Sequence, residues 1–112
     1  MARNSCLDCV RKHIASASIS MDEAANGYPF HRWYAVGDLD HAASECRKEH
    51  PRFSRIIRKA WLDIINGGDP DFDRLILMAC YLDDPAGTDL QLPVHNTKSF
   101  DFSFIDELEG DA

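Results

Sequence analysis

The sequence predicts an all-α protein, and two observations carry the prediction. Apolar residues recur every three or four positions over four consecutive stretches, which is the spacing of one helix face. Between the stretches stand Asn-Gly, Pro and Asn-Gly-Gly, residue types that end or begin helices. The 112 residues suit one domain with a modest core, which a metal or a partner would help to stabilise.

The first two helices are predicted to form an antiparallel hairpin. The first covers residues 7–25, and Asn26-Gly27 ends it because both residues tolerate the left-handed cap conformation. Pro29 suits the first turn of the second helix, at about 29–48. The short connection makes the helices antiparallel. Their core-facing stripes are Leu7, Val10, Ile14, Ala17, Met21 and Ala24, then Trp33, Val36, Leu39, Ala43 and Cys46.

Two further amphipathic helices follow. Pro51 begins the third, at about 51–66, which has the strongest apolar pattern in the chain. Asp69 is a suitable N-cap for the fourth, with Pro70 at its first position, and this helix extends to about residue 83. The stripes are Phe53, Ile56, Ile57, Ala60, Trp61, Ile64 and Ile65, then Phe72, Leu75, Ile76, Ala79 and Leu82.

Beyond the helical domain of residues 1–83, the pattern changes. Residues 84–99 have no periodicity and predict a linker, and residues 100–112 form an acidic-aromatic C-terminal arm. Alternating Phe100, Phe102 and Phe104 indicate an extended strand, followed by the acidic Asp106 and Glu107. Such an arm can bind a groove or a sheet edge of a partner, or pack on its own helical core.

Charge is distributed unevenly along the chain. Residues 1–66 carry ten Lys/Arg and eight Asp/Glu, whereas residues 67–112 carry two and eleven. This asymmetry suggests pairing between the two halves or a tail for a basic partner. With no membrane-spanning stretch and no signal peptide expected, we place the protein in the cytoplasm, where cysteines serve as metal ligands, reactive thiols or core residues.

A cluster of metal-ligand residues lies near the start of the first helix. Cys6, Cys9 and His13 fall within an arc of about 60° on one helix face, beside the apolar stripe. Sulfur and imidazole ligands at C-x-x-C-x-x-x-H spacing are what a tetrahedral zinc site uses. We therefore predict zinc, with two buried core cysteines as the alternative.

A structural zinc site needs a fourth ligand. In a hairpin that turns near residues 27–28, Cys9 faces Cys46 and His13 faces Ala42. We therefore predict Cys46 as the fourth ligand, followed by His50, His41 and His31 in that order. Cys80, in the middle of the fourth helix, is predicted to be a core residue.

The motif from Cys6 to His13 also resembles the active site of alkylhydroperoxidase-like thiol enzymes. In that family the two cysteines cycle between dithiol and disulfide while the histidine helps to move protons. The family also has an upstream glutamate, and no glutamate precedes Cys6 here. This resemblance covers eight residues and implies a thiol redox enzyme as an alternative function.

A broader resemblance extends over residues 6–46. The chain reads CLDCVRKH, then GYP with HRW, AVGDL, and finally AA and Glu45. It is similar to short proteins of tailed phages and prophages that begin with CxxCxxKH and have no established activity. Many of them have His where this chain has Asp38, which implies that Asp38 is an oxygen ligand here or that the site is altered. The resemblance also implies a viral accessory or virion protein.

Residues 47–59 form a basic segment that could contact nucleic-acid phosphates. Its cations are Arg47, Lys48, Arg52, Arg55, Arg58 and Lys59. We favour a solvated helix face, because the net charge of −7 opposes nucleic-acid binding. This face can also hold the acidic arm, from the same chain or a second copy.

The sequence thus predicts a zinc-stapled antiparallel helical hairpin, two amphipathic helices and an extended arm. We expect a small zinc-binding phage-type structural or accessory protein, in the host cytoplasm or the virion, that docks on a larger protein assembly and is not an enzyme. Its partner is a protein, a viral assembly or a second copy, with neither nucleic acid nor a membrane. An acidic inhibitor that mimics nucleic acid is a further alternative. The residues predicted to bind the partner are Phe100, Phe102, Phe104, Asp106 and Glu107.

Overall fold

The computed structural model describes residues 6–83 and Leu108, except for the side chain of Cys6. These residues form four helices and no strand, which confirms the predicted all-α class. The helices are α1 (Cys6–Ala25), α2 (His31–Cys46), α3 (Pro51–Ile65) and α4 (Phe72–Asp83). α1 packs against α2 and α4, and α2 also packs against α3. None of the described helices combines the length and the apolar character that a membrane span requires.

The turn between α1 and α2 confirms the predicted antiparallel hairpin. Gly27 has a φ of 117°, and the amide of Tyr28 donates to the carbonyl of Glu23 at 3.1 Å, which is a Schellman-type helix end. The amide of His31 then bonds the carbonyl of Tyr28, three residues back, and the next two amides repeat this spacing. α2 therefore begins at His31 rather than Pro29, because a tighter turn precedes the α-helical bonds.

The end of α3 is tied to α2. Gly67 has a φ of 94°, and the amides of Gly67 and Gly68 donate to the carbonyls of Ile64 and Asp63 at 3.0 and 2.7 Å. These two bonds make a complete Schellman motif. Arg32 of α2 donates from Nη2 to the carbonyl of Ile64 at 2.6 Å. A cation thus reaches the negative end of the α3 dipole from the neighbouring helix.

α4 begins later than the sequence predicted. The N-cap is Asp71, whose Oδ1 accepts the amide of Arg74 at 3.1 Å, and the first helical residue is Phe72. The prediction that Asp69 caps the helix with Pro70 at its first position was wrong. Asp71 stands directly before a buried phenylalanine, so capping at Asp71 brings the apolar stripe of α4 onto the core.

The core consists largely of the predicted stripes, with exceptions on α3 and α2. Ile65, the last residue of α3, was predicted to face the core but is 44% exposed. Trp33 was predicted to face the core, but 62% of its surface is exposed. Ala35 and Ala42 are fully buried instead, alongside Leu39. The small side chains allow α1 and α2 to approach closely, which leaves no room for an indole between them.

Leu108 connects the C-terminal arm to the helical domain. It is fully buried and belongs to the hydrophobic core. At this residue the chain packs on its own core, the second of the two possibilities that the sequence left open. The other arm residues and the 84–99 linker lie outside the described residues. The partner-binding role of Phe100, Phe102, Phe104, Asp106 and Glu107 stays a prediction.

Replacing Leu108 with alanine should destabilise the protein. Because Leu108 is fully buried, we expect the free energy of unfolding to fall by about 2–5 kcal/mol, the range for buried Leu→Ala changes. Urea denaturation followed by circular dichroism measures this. Leu62→Ala, at a residue that is 44% exposed, is the matched control and should cost much less. Equal costs would show that Leu108 does not contribute to the core.

Candidate metal centre

Three potential metal ligands converge where α1 lies against α2. Cys9 and His13 are one turn apart on α1, and His41 comes from α2. The ligand atoms of the three residues all lie within 4.8 Å of one another. Ligand atoms around a tetrahedral zinc ion are about 3.5 Å apart, so shifts of about 1 Å would close the set around a metal. One sulfur and two imidazole nitrogens suit zinc.

His13 is held by residues from both helices. Its Nδ1 lies 3.0 Å from Oδ1 of Asp38, and Ser16 donates from Oγ to Oδ2 of the same carboxylate at 2.8 Å. The side chains of His13 and Asp38 are 29% and 22% exposed. A carboxylate on one ring nitrogen orients a histidine and makes the other nitrogen a better ligand. The sequence offered Asp38 as an oxygen ligand, but its contact here is with the imidazole.

His41 has a carboxylate partner of its own. Its Nε2 lies 3.1 Å from Oε2 of Glu45, one turn further along α2. The rings of His13 and His41 have centroids 4.3 Å apart and are tilted by 46°. The two imidazoles therefore approach each other at an angle, and each has a carboxylate on one of its ring nitrogens. The sequence alone did not indicate a role for Glu45.

Of the other predicted ligands, Cys46, His50 and His31 lie outside this three-residue group. Cys6 begins α1, but its side chain is not among the described parts of the structure. Cys46 is fully buried, and its thiol donates weakly to the carbonyl of Ala43 at 3.8 Å. His50 has a buried Nδ1 without a hydrogen bond, and His31 contacts Glu23 at 2.7 Å. His41, third in the predicted order, is the residue that joins Cys9 and His13.

The register of the hairpin explains this result. His13 lies opposite His41 and Ser16 opposite Asp38, one residue away from the predicted register in which His13 faced Ala42. One residue turns the facing position on a helix by about 100°. The cluster consequently lies at the solvent edge of the α1–α2 interface, where His41 is 53% exposed. Cys46 points into the core, and its role as a ligand stays a prediction.

Cys80 of α4 is separate from the cluster and is half-buried rather than fully buried. Burial raises the pKa of its thiol above the ordinary value of 9.0, while Arg11 opposes the rise and Asp83 adds to it. A raised pKa keeps the thiol protonated near neutral pH. Cys80 is therefore a poor nucleophile and a poor metal ligand there.

A group of exposed aromatic side chains surrounds the hairpin turn. Tyr28, Phe30, Trp33 and Tyr34 are each 55–62% exposed, and the ring of His31 contacts three of them. We call these five residues the aromatic surface. The sequence placed Trp33 in the core-facing stripe of the second helix, whereas the structure places it on this exposed surface.

The cations of the basic segment point outward. Arg47, Lys48, Arg52, Arg55, Arg58 and Lys59 are all exposed. This exposure agrees with the solvated face expected from the sequence. It does not by itself indicate a ligand.

No family model, curated protein or solved structure matches the chain. The two resemblances inferred from residues 6–46 therefore stay predictions.

Alkylation of Cys80 should begin at a higher pH in the native protein than in the unfolded chain. Because the folded-state pKa of the thiol is raised, the native protein holds its proton over a pH range in which the unfolded chain has lost it. The stabilisation from this proton is complete below the unfolded-state pKa and disappears as pH rises through the folded-state value. Iodoacetamide labelling, quantified by peptide mass spectrometry, should show half-maximal reactivity at higher pH in native protein than in urea. Identical pH profiles for native and unfolded protein would contradict the raised pKa of Cys80.

Proposed function

We propose that the chain is a small zinc-binding helical protein, of phage structural or accessory type, that docks on a larger protein assembly. The observation that carries the zinc part is the convergence of Cys9, His13 and His41 from two helices. The docking part is supported by the aromatic surface and by the sequence of the arm.

The ligand set that we propose is Cys6, Cys9, His13 and His41. Cys6 precedes Cys9 by three residues on the same helix, and helical positions three apart share one face. A Cys₂His₂ set is among the usual structural zinc sites. His41 is the ligand from α2 in this set, in place of the predicted Cys46, which is buried in the core. Zinc held in this way would connect α1 to α2.

Metal binding to such a set stabilises the fold directly. The described core is small, and a structural zinc ion adds its binding free energy to folding wherever the unfolded chain lacks a preformed site. The hairpin turn already joins α1 and α2 covalently at one end. Zinc near the start of α1 would join them towards the other end.

The aromatic surface supports docking on a protein. Four large aromatic side chains within seven residues of the chain are each more than half exposed, and exposed apolar patches of this kind mark interaction sites. Tyr, Trp and Phe are also the residues that interfaces favour. The net charge of −7 favours a protein partner over nucleic acid.

Elemental analysis tests the zinc part of the proposal. Protein purified under reducing conditions should contain about one zinc per chain, and a chelator should lower its melting temperature and helical signal, because the metal connects two helices. Cys9→Ser should lose the metal, whereas Cys80→Ser should retain it as the matched control.

The fourth ligand is identified by the same assay. Cys6→Ser should lose zinc, while Cys46→Ala should bind it with unchanged stoichiometry even if the fold is less stable. Zinc loss in Cys46→Ala together with zinc retention in Cys6→Ser would identify Cys46 as the fourth ligand instead. Metal-free wild-type protein with a reversible Cys6–Cys9 disulfide would contradict the zinc proposal and favour a thiol redox enzyme.

The docking part predicts a role for Trp33. A photo-crosslinking amino acid at position 33 should give one discrete adduct, whose partner is then purified and titrated with the unmodified chain. Trp33→Ser should weaken this binding at least tenfold without changing the melting temperature, because the side chain contributes little to the core. Leu62→Ala, an exposed change on α3, should bind as the wild type does. If Trp33→Ser bound the partner as tightly as the wild type does, the aromatic surface would be excluded as the docking site.

A further inference from the structure

The two carboxylate–histidine contacts of the metal centre use different ring nitrogens. Asp38 occupies Nδ1 of His13, whereas Glu45 occupies Nε2 of His41. An imidazole that donates from one nitrogen to a carboxylate keeps its lone pair on the other nitrogen. The available metal-binding atom is therefore Nε2 in His13 and Nδ1 in His41.

We infer that the two histidines bind the metal through opposite ring nitrogens, with Asp38 and Glu45 as the positioning residues that fix this choice. The inference depends on the zinc site proposed above and defines its chemistry. The 46° tilt between the two rings, with centroids 4.3 Å apart, is compatible with one nitrogen of each ring facing a common point. The ligand atoms of the two histidines and Cys9 also lie within 4.8 Å of one another.

The two carboxylates differ in how firmly they are held. Asp38 accepts a second hydrogen bond from Ser16 at 2.8 Å, and its side chain is 22% exposed. Glu45 is 36% exposed and makes its contact within one helix. A carboxylate that is better anchored and better shielded orients its histidine more strongly. Asp38 should therefore contribute more than Glu45 to metal affinity.

The chain contains a matched control for these contacts. Glu23 lies 2.7 Å from Nδ1 of His31, which is the same type of pair across the same hairpin. No cysteine or second histidine joins it in a metal-ligand group within the described residues. Replacing Glu23 removes a carboxylate–histidine contact without touching the metal centre.

Nuclear magnetic resonance of the wild-type protein tests the inference directly. The protein is labelled with ¹⁵N-histidine and loaded with ¹¹³Cd²⁺, whose coupling to nitrogen identifies the bound ring atom. We expect coupling to Nε2 of His13 and Nδ1 of His41, with protons on the opposite nitrogens. Coupling through the same nitrogen in both rings overturns the inference. Because no variant is needed, loss of folding cannot obscure the result.

Metal affinity provides the second measurement. In competition with a chromophoric chelator, Asp38→Asn should bind zinc about 10–100-fold more weakly, Glu45→Gln should lose less, and Glu23→Gln should match the wild type. Unchanged affinity in Asp38→Asn and Glu45→Gln, with zinc still bound, overturns the positioning role and leaves the zinc site intact. A wild-type chain that binds neither zinc nor cadmium overturns the proposed function as well.

Discussion

The packing of α1 against α2 is the constraint on which the rest of the structure depends. Fully buried alanines on α2, Ala35 and Ala42, allow the two helices to approach closely. That approach fixes one register, in which His13 lies opposite His41. Both the core and the candidate metal centre therefore follow from the same interface. A different register would separate the histidines, because one residue turns a helical side chain by about 100°.

The position of the cluster at the edge of this interface suits a metal. A metal ion in the middle of the apolar core would need every polar ligand atom to be satisfied away from water, at a large desolvation cost. At the edge, Asp38 and Glu45 remain partly exposed while they contact the imidazoles. The two carboxylates thus retain some hydration and still orient the imidazole rings that they contact.

The two ends of the hairpin have different roles in the proposed function. His13 and the end of α1 at Ala25 are separated by about 18 Å along the helix axis. The aromatic surface lies at the turn, where the chain itself joins the helices. The proposed zinc lies towards the other end, which has no covalent connection. A metal there would hold the hairpin closed and so keep the aromatic surface in one shape.

Much of the fold was predictable from local sequence, because helix periodicity, glycine caps and proline starts act over a few residues. The four helices and the ends at Gly27 and Gly67 follow from such signals. So does the metal-ligand character of Cys9 and His13, since residues four apart on a helix share a face. Where two neighbouring residues could both cap a helix, the sequence did not show which of them does so. Asp69 and Asp71 are equally good caps, and the burial of Phe72 selected Asp71.

The sequence by itself determined which residues could bind a metal and that helices would present them. Only the tertiary structure decided which of them meet. Periodicity defines the inward face of a helix to within about one residue, whereas the choice between His41 and Cys46 depends on a rotation of that size. The exposure of Trp33 has the same origin, because alanine packing against α1 decided which side of α2 faces the core.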